Sequence, residues 1–332
     1  MFFKTRSSPR RCRAPEVGSD LGTISKPRSQ PSPEIDATYK SRELEGIVDL
    51  FFYRRIGFRL AQFFARLNFT PTSVTLIGGV FGVVAGHLYF YQALAVNLIG
   101  MLFHVVANIF DNADGQLARL TNQQTRIGRI LDPIVDHVIW LSIYVHLALR
   151  LHIGGFSGAI WILALAAGLS HGLQAGAADY CRNAYLYFGK GGREFDSASK
   201  LEREYRQYAW STHAWSKFLL RLYLNAMHEQ ELLLPGIRRL RETTENTFAD
   251  SVPAWFQSRY RDLVLPTFKW WSLLMTNTRM LVLLVLFLIH QPVWYFWLEL
   301  TAGNLLLVCL IFWQEKMSRS LIQSFTTHKD SA

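Results

Sequence analysis

The sequence predicts an all-α integral membrane protein with six transmembrane helices, an N-terminal interfacial helix and a helical cytoplasmic insertion. Three observations predict it. Half of the 332 residues are hydrophobic. Several apolar runs approach the roughly 20 residues that cross a bilayer. Lys and Arg crowd one set of connecting segments and nearly desert the other.

Residues 1–37, rich in Ser, Pro and Arg, read as a disordered tail. Met1-Phe2-Phe3 is too short for a signal peptide; the Arg and Ser content suits a transit peptide, but Glu16 and Asp20 oppose one. Residues 38–71 form the interfacial region. Between 43 and 67, Arg alternates with Leu, Ile and Phe, as in an amphipathic helix that lies along the membrane or packs on the bundle. Residues 72–188 hold the first four spans, at about 72–91, 93–110, 131–150 and 157–178. Thr70 is the expected cap of the first, with Pro71 at its first helical position, and Gln92 is the expected turn to the second. Residues 189–268 are too long for a plain loop and carry helical patterning. Ser199 and Glu202 suggest a capping box, and a second helix runs through Phe218, Leu219, Leu222 and Tyr223. Trp210, Trp215, Trp255, Trp270 and Trp271 suit a water–lipid boundary. Residues 269–332 hold the last two spans, at about 272–290 and 293–313 with a turn at Pro292, and a C-terminal tail.

The net charge of +10 suits anionic lipid surfaces and anionic substrates. Nucleic-acid binding is disfavoured, because the basic excess sits beside spans and forms no domain of its own. The basic segments, 119–129 and 179–270 among them, face the cytoplasm by the positive-inside rule, and the opposite loops hold essentially Arg150 alone. Cys12, Cys181 and Cys309 show neither a disulfide framework nor metal spacing.

Chemistry concentrates between 111 and 136. Asp111, Asp114, Gly115, Ala118, Arg119, Gly128, Asp132 and Asp136 form the pattern D-x2-D-G-x2-A-R-x8-G-x3-D-x3-D, where two apolar segments meet. Helical spacing puts Asp111 and Asp114 on one face and Asp132 and Asp136 on one face of the next helix. Antiparallel neighbours would bring all four together, and four close anions imply a positive partner, most simply one or two divalent cations. Oxygen ligation suits Mg²⁺ or Mn²⁺. Gly115 and Ala118 remove bulk, Gly128 gives room before Asp132, and Arg119 offers a fork for phosphate oxygens; together they suit a nucleotide diphosphate. A calcium loop at Asp111–Gly115 fails for want of alternating oxygen ligands and a closing glutamate.

The pattern resembles that of the CDP-alcohol phosphotransferase family, membrane enzymes of phospholipid synthesis, with all eight positions matched and Asn68-Phe69-Thr70-Pro71 as a weaker upstream likeness. The resemblance omits the N-terminal tail and much of Gly189–Phe268. It implies Mg²⁺ or Mn²⁺, two ions, on Asp111, Asp114 and Asp132. Asp136 would be the base, touching a metal as well. The CDP donor would be held by Asp114, Gly115, Ala118, Arg119 and Gly128. Asp179-Tyr180-Cys181-Arg182-Asn183 is similar to the Tyr-x-Lys/Arg-Ala segment of phosphatidylinositol-phosphate and phosphatidylglycerol-phosphate synthase-like members, with Asn183 departing from the alanine. It implies an anionic acceptor on Arg182. Arg279, an arginine inside a span, is a second acceptor candidate. His171, Gln174 and Asn277 read as inter-helix hydrogen bonds, and Arg126 and Arg129 as membrane anchors. The expected partners are a CDP-linked lipid donor, a polar alcohol acceptor and membrane lipids, with room for a homodimer. Two alternatives stay open: a CDP-choline or CDP-ethanolamine transferase acting on a lipid alcohol, and a non-catalytic membrane scaffold.

Overall fold

The computed structural model describes residues 43–46, 48–192, 195–248 and 252–329. The tail expected to be disordered, at 1–37, lies outside them. Among the described residues there is no strand.

A π-helical turn, Asp49–Tyr53, runs into α1 (Arg54–Arg66). This helical segment has two faces. Gly57, Phe58, Ala61 and Phe64 are buried against the bundle, while Phe51, Phe52, Ile56 and Phe63 remain exposed. Next come α2 (Pro71–Leu88), α3 (Leu94–Leu120), α4 (Arg126–Ile153) and α5 (Ala159–Phe188). Thr70 caps α2 as expected, its Oγ1 accepting from the Ser73 N–H at 3.2 Å, with Pro71 first in the helix. The α2–α3 turn includes Gln92.

Helices α3, α4 and α5 have 27, 28 and 30 residues. At 1.5 Å per residue they run roughly 40–45 Å, longer than the ~30 Å hydrocarbon layer. The expected ends at 110 and 131 therefore give way to helices that continue to Leu120 and begin at Arg126. The motif falls on these extensions.

Beyond Gly189 the chain forms α6 (Ala198–Gln207), α7 (Trp210–Leu233), α8 (Pro235–Thr247) and α9 (Ala254–Trp271). The expected capping box at Ser199 is displaced: Ser197 is the cap, accepting from the Lys200 N–H at 3.2 Å, and Glu202 pairs with Arg206 one turn on. Arg126 is no membrane anchor. It pairs with Asp196 at 2.8 Å and Glu204 at 3.0 Å and lies over the Tyr223 ring, tying the insertion to the start of α4. Trp271 is buried and Trp255 half-buried, so only Trp210, Trp215 and Trp270 remain exposed among the tryptophans assigned to the boundary.

The fifth span is broken. Helix α9 and a 3₁₀ turn, Ser272–Leu274, meet α10 (Thr276–Leu288) at a 41° bend. Past the turn at Pro292, α11 (Trp294–Leu298) passes through a π-helical turn, Glu299–Gly303, into α12 (Asn304–Lys329). Among the described residues, five helices are long and apolar enough to cross a membrane, or six if the bent pair counts as one span.

Candidate active site

Glycines on α2 bring the two halves of the motif together. A Cβ on Gly78 would stand 2.8 Å from the Phe110 Cβ, one on Gly79 2.8 Å from Val135, and one on Gly82 2.5 Å from Ile139. On Gly86 it would meet the Ser142 Oγ at 2.5 Å. Helix α2 is thus a wedge with a bare face, and α3 and α4 pack on it at near-backbone distance, as small residues permit in membranes.

Three carboxylates gather. One oxygen from each of Asp111, Asp114 and Asp132 lies within 4.8 Å of the others. Asp114 is buried, Asp132 half-buried and Asp111 exposed. Asp136 does not join this set; one turn past Asp132, it is exposed and lines the same cavity. That cavity, of about 10 Å³, has room for a body of about water size, which suits an ion. The oxygen-only donor set suits a hard cation such as Mg²⁺ or Mn²⁺, so the residues fit the metal that the sequence implies.

The sequence reading missed Thr75 and Asn108. Thr75 Oγ1 donates to Asp114 Oδ2 at 2.5 Å and also lies 3.1 Å from the Pro71 carbonyl. Asn108 lines the cavity and donates to the Met280 sulfur at 2.7 Å, which brings α10 against the site. Asn108 carried a signal, since it lies three residues before Asp111 in an apolar run. Thr75 carried none, because a lone threonine is ordinary in a span.

Arg119 folds back over Gly115: a Cβ there would be 3.4 Å from the guanidinium Nη2. Its Nε is buried without a hydrogen-bond partner among the described residues. Its charged neighbours are Arg54, Glu45, Asp114 and Arg182. A buried donor left unsatisfied is costly, and an anion placed there would satisfy it. Ala118 is half-buried on the same helix. Gly128 acts locally, at the start of α4. Its N–H donates to the capping Thr125 Oγ1 at 3.0 Å, and an added Cβ would crowd that oxygen at 3.0 Å.

Arg182 is half-buried on α5 and electrostatically close to Arg119. Arg279 is not brought to the aspartates. Its Nε donates to Glu299 Oε1 at 2.9 Å, its Nη2 to Gln174 Oε1 at 2.7 Å and its Nη1 to the Leu274 carbonyl. Every nitrogen of the guanidinium donates to a protein acceptor. The inter-helix bonds expected of the polar residues are present: Tyr144 OH–His171 Nδ1 at 3.3 Å, Gln174 to the Glu299 carbonyl at 2.9 Å and Asn277 to Asp49 at 2.7 Å.

The fold and site define a multi-pass helical membrane protein with a three-carboxylate centre where two spans meet. Residues 68–178 match the family model of the CDP-alcohol phosphatidyltransferases. A phosphatidylinositol phosphate synthase of Mycobacteroides abscessus is 34% identical over 102 residues, covering 29% of this chain and 42% of that protein. An archaetidylinositol phosphate synthase of Pyrococcus horikoshii is 29% identical over 91 residues, 27% of this chain and 47% of that protein. A putative cardiolipin synthase of Mycobacterium bovis is 33% identical over 61 residues, 18% and 29%. The chain thus spans less than half the length of each of these curated relatives.

Proposed function

We propose that the chain transfers a phosphatidyl group from CDP-diacylglycerol to a polar alcohol, with release of CMP, at the cytoplasmic face of the membrane. The observation that carries this reading is the convergence of Asp111, Asp114 and Asp132 within 4.8 Å in a family-matched region. Asp111, Asp114 and Asp132 would hold one or two Mg²⁺ or Mn²⁺ ions. When bound, the metal neutralises the diphosphate and makes CMP a better leaving group. Arg119, with its unpaired Nε, grips a diphosphate oxygen, and Gly115 and Ala118 leave room beside it. Asp136, outside the ligand trio, takes the proton from the acceptor hydroxyl at a carboxylate oxygen. That hydroxyl oxygen bonds to the β-phosphorus as its bond to the bridging oxygen breaks, and the pair of electrons leaves with CMP.

The acceptor is a phosphorylated alcohol such as inositol phosphate or glycerol phosphate. Two features support this: Arg182 lies near Arg119, and two of the relatives carry inositol-phosphate synthase names. A phosphorylated acceptor brings negative charge towards carboxylates and needs cations beside it.

The test is CMP release by the purified chain with Mg²⁺ across a panel of CDP donors and alcohols. CDP-diacylglycerol with a phosphorylated polyol should support turnover. Release only from CDP-choline or CDP-ethanolamine with diacylglycerol would reverse the polarity, and no release from any pair would leave a scaffold. Arg182→Ala should raise the acceptor KM about ten- to a hundred-fold, as expected for a lost charge-assisted hydrogen bond, with a lesser effect on the donor.

A further inference from the structure

Helix α7 holds the insertion against the spans with one face and turns an apolar stripe outwards with another. Leu219, Leu220, Leu224 and Met227 are buried in the cluster that includes Ile130 of α4 and Ala177 and Ala178 of α5. On the far side Trp215 (65% exposed), Phe218 and Leu222 stand out at i, i+3 and i+7, and the Trp215 and Phe218 rings stack at 5.9 Å. Every residue from Ala209 to Trp215 is exposed, and the backbone kinks at His213. The first turns of α7 therefore project beyond the bundle.

Charge beside the stripe is positive. Nearby, Glu202 is engaged by Arg206 and Glu204 by Arg126. Exposed Arg203 and Arg221 have no carboxylate partner among the described residues, and Lys217 lies over the Tyr205 and Trp210 rings. Ile130, on the buried side, lies two residues before the metal-site Asp132, so α7 sits at the level where the spans leave the hydrocarbon.

We infer that the projecting part of α7 is a monotopic membrane contact, with Trp215, Phe218 and Leu222 seated in the headgroup region of the leaflet that holds the aspartate site and Arg203 and Arg221 on anionic lipid phosphates. Tryptophan beside basic residues is the composition of such interfacial helices. The packing of α7 against two spans, α4 and α5, supplies the bilayer as its neighbour. An exposed apolar stripe on a protein already embedded in a membrane is satisfied by that membrane without a further partner.

The test reads position and not turnover, so it stands or falls apart from the proposed chemistry. In full-length protein with Cys12, Cys181 and Cys309 replaced by alanine, a fluorophore is attached at Trp215→Cys, at Phe218→Cys or, as a control, at Asn246→Cys, an exposed position on α8. The protein is reconstituted into vesicles of phosphatidylcholine with phosphatidylglycerol, some lipids carrying a headgroup-level spin label. Quenching several-fold stronger at 215 and 218 than at 246 is expected, weakening when phosphatidylglycerol is withdrawn or in Arg203→Gln/Arg221→Gln. Equal quenching at all three sites would overturn the proposal. So would shielding at 215 and 218 that depends on protein density and not on the lipid quencher, which would mark a second copy as the occupant. If the cysteine-free chain fails to fold, hydrogen exchange on the unsubstituted protein decides. Amides from 210 to 218 should be protected more in vesicles with phosphatidylglycerol than in those without, and no difference would reject the contact.

Discussion

Two charge clusters lie within the apolar bundle, and they differ in what completes them. Where α3 and α4 meet, three carboxylates crowd together with the Thr75 hydroxyl on one of them. Between α5, α10 and the π turn after α11, Arg279 and Glu299 answer each other through two hydrogen bonds, and Gln174 and the Leu274 carbonyl accept two more from Arg279. The second cluster uses two irregularities of backbone. The break before α10 frees the Leu274 carbonyl, and the π turn begins at Glu299 and brings Gly303 within 2.7 Å, as a virtual Cβ, of Gln174. A buried charge with its counter-charge is scaffolding. A surplus of one sign on converging side chains calls for an ion or substrate from outside.

The sharpest break of this comparison is a pair of isosteric changes. Asp111→Asn should drop CMP release to background while leaving the melting temperature unchanged or higher, because it relieves repulsion among like charges. Glu299→Gln should do the reverse to the fold, leaving Arg279 buried beside a neutral amide. The stability loss is about 3–5 kcal/mol, read in denaturation of the purified protein, and Arg279→Met/Glu299→Leu should recover much of it. A less stable Asp111→Asn protein together with a fully stable Glu299→Gln protein would invert the assignment of the two clusters.

Within the aspartate site, Asp136→Asn should abolish transfer with CDP-donor affinity largely kept, whereas Arg119→Ala should weaken donor binding. Equal losses of donor affinity would erase the separation between the carboxylate trio and its neighbour. A smaller effect is expected from Thr75→Val, which removes the hydroxyl from Asp114 while keeping shape. The Mg²⁺ concentration for half-maximal CMP release should rise about 10–100-fold, the usual consequence of losing an outer-shell partner, with turnover recovering at high Mg²⁺. An unchanged metal dependence would show that Asp114 holds its place unaided.

The smallest effect lies outside the spans. Lys190 at 2.7 Å and the Tyr185 hydroxyl at 2.5 Å hydrogen-bond Glu43 and hold its carboxyl below the ordinary glutamate value. A lowered folded pKa contributes stability above the unfolded value of about 4.3, lost as pH falls through the folded one. The melting temperature should therefore decline modestly as pH falls below about 4.3, and Glu43→Gln should flatten that part of the profile. An identical acid slope in the variant would remove Glu43 from the linkage.

Much of the site was legible because its signals are local. Asp111 with Asp114, and Asp132 with Asp136, share helix faces by spacing alone, and Thr70-Pro71 announces a helix start in two residues. What escaped depends on distant neighbours. Ser197 took the cap expected of Ser199. Arg126 found Asp196 and Glu204, 70 and 78 residues away, and so became a tie to the insertion. Arg279 was legible as an unusual residue in a span, but its meaning was set by Glu299 and Gln174.

The sequence by itself determined the helical membrane class, the approximate spans and the motif residues, because hydropathy and helical periodicity act over a few turns. Only the tertiary structure decided which carboxylates meet. The bare face of α2 sets how closely α3 and α4 approach, and that approach admits Asp111, Asp114 and Asp132 to one centre while leaving Asp136 at its edge. It also decided which buried charge is spent on the fold. Pairing is a property of distance in space, and residues 105 positions apart, as Gln174 and Arg279 are, leave no trace of it in local order.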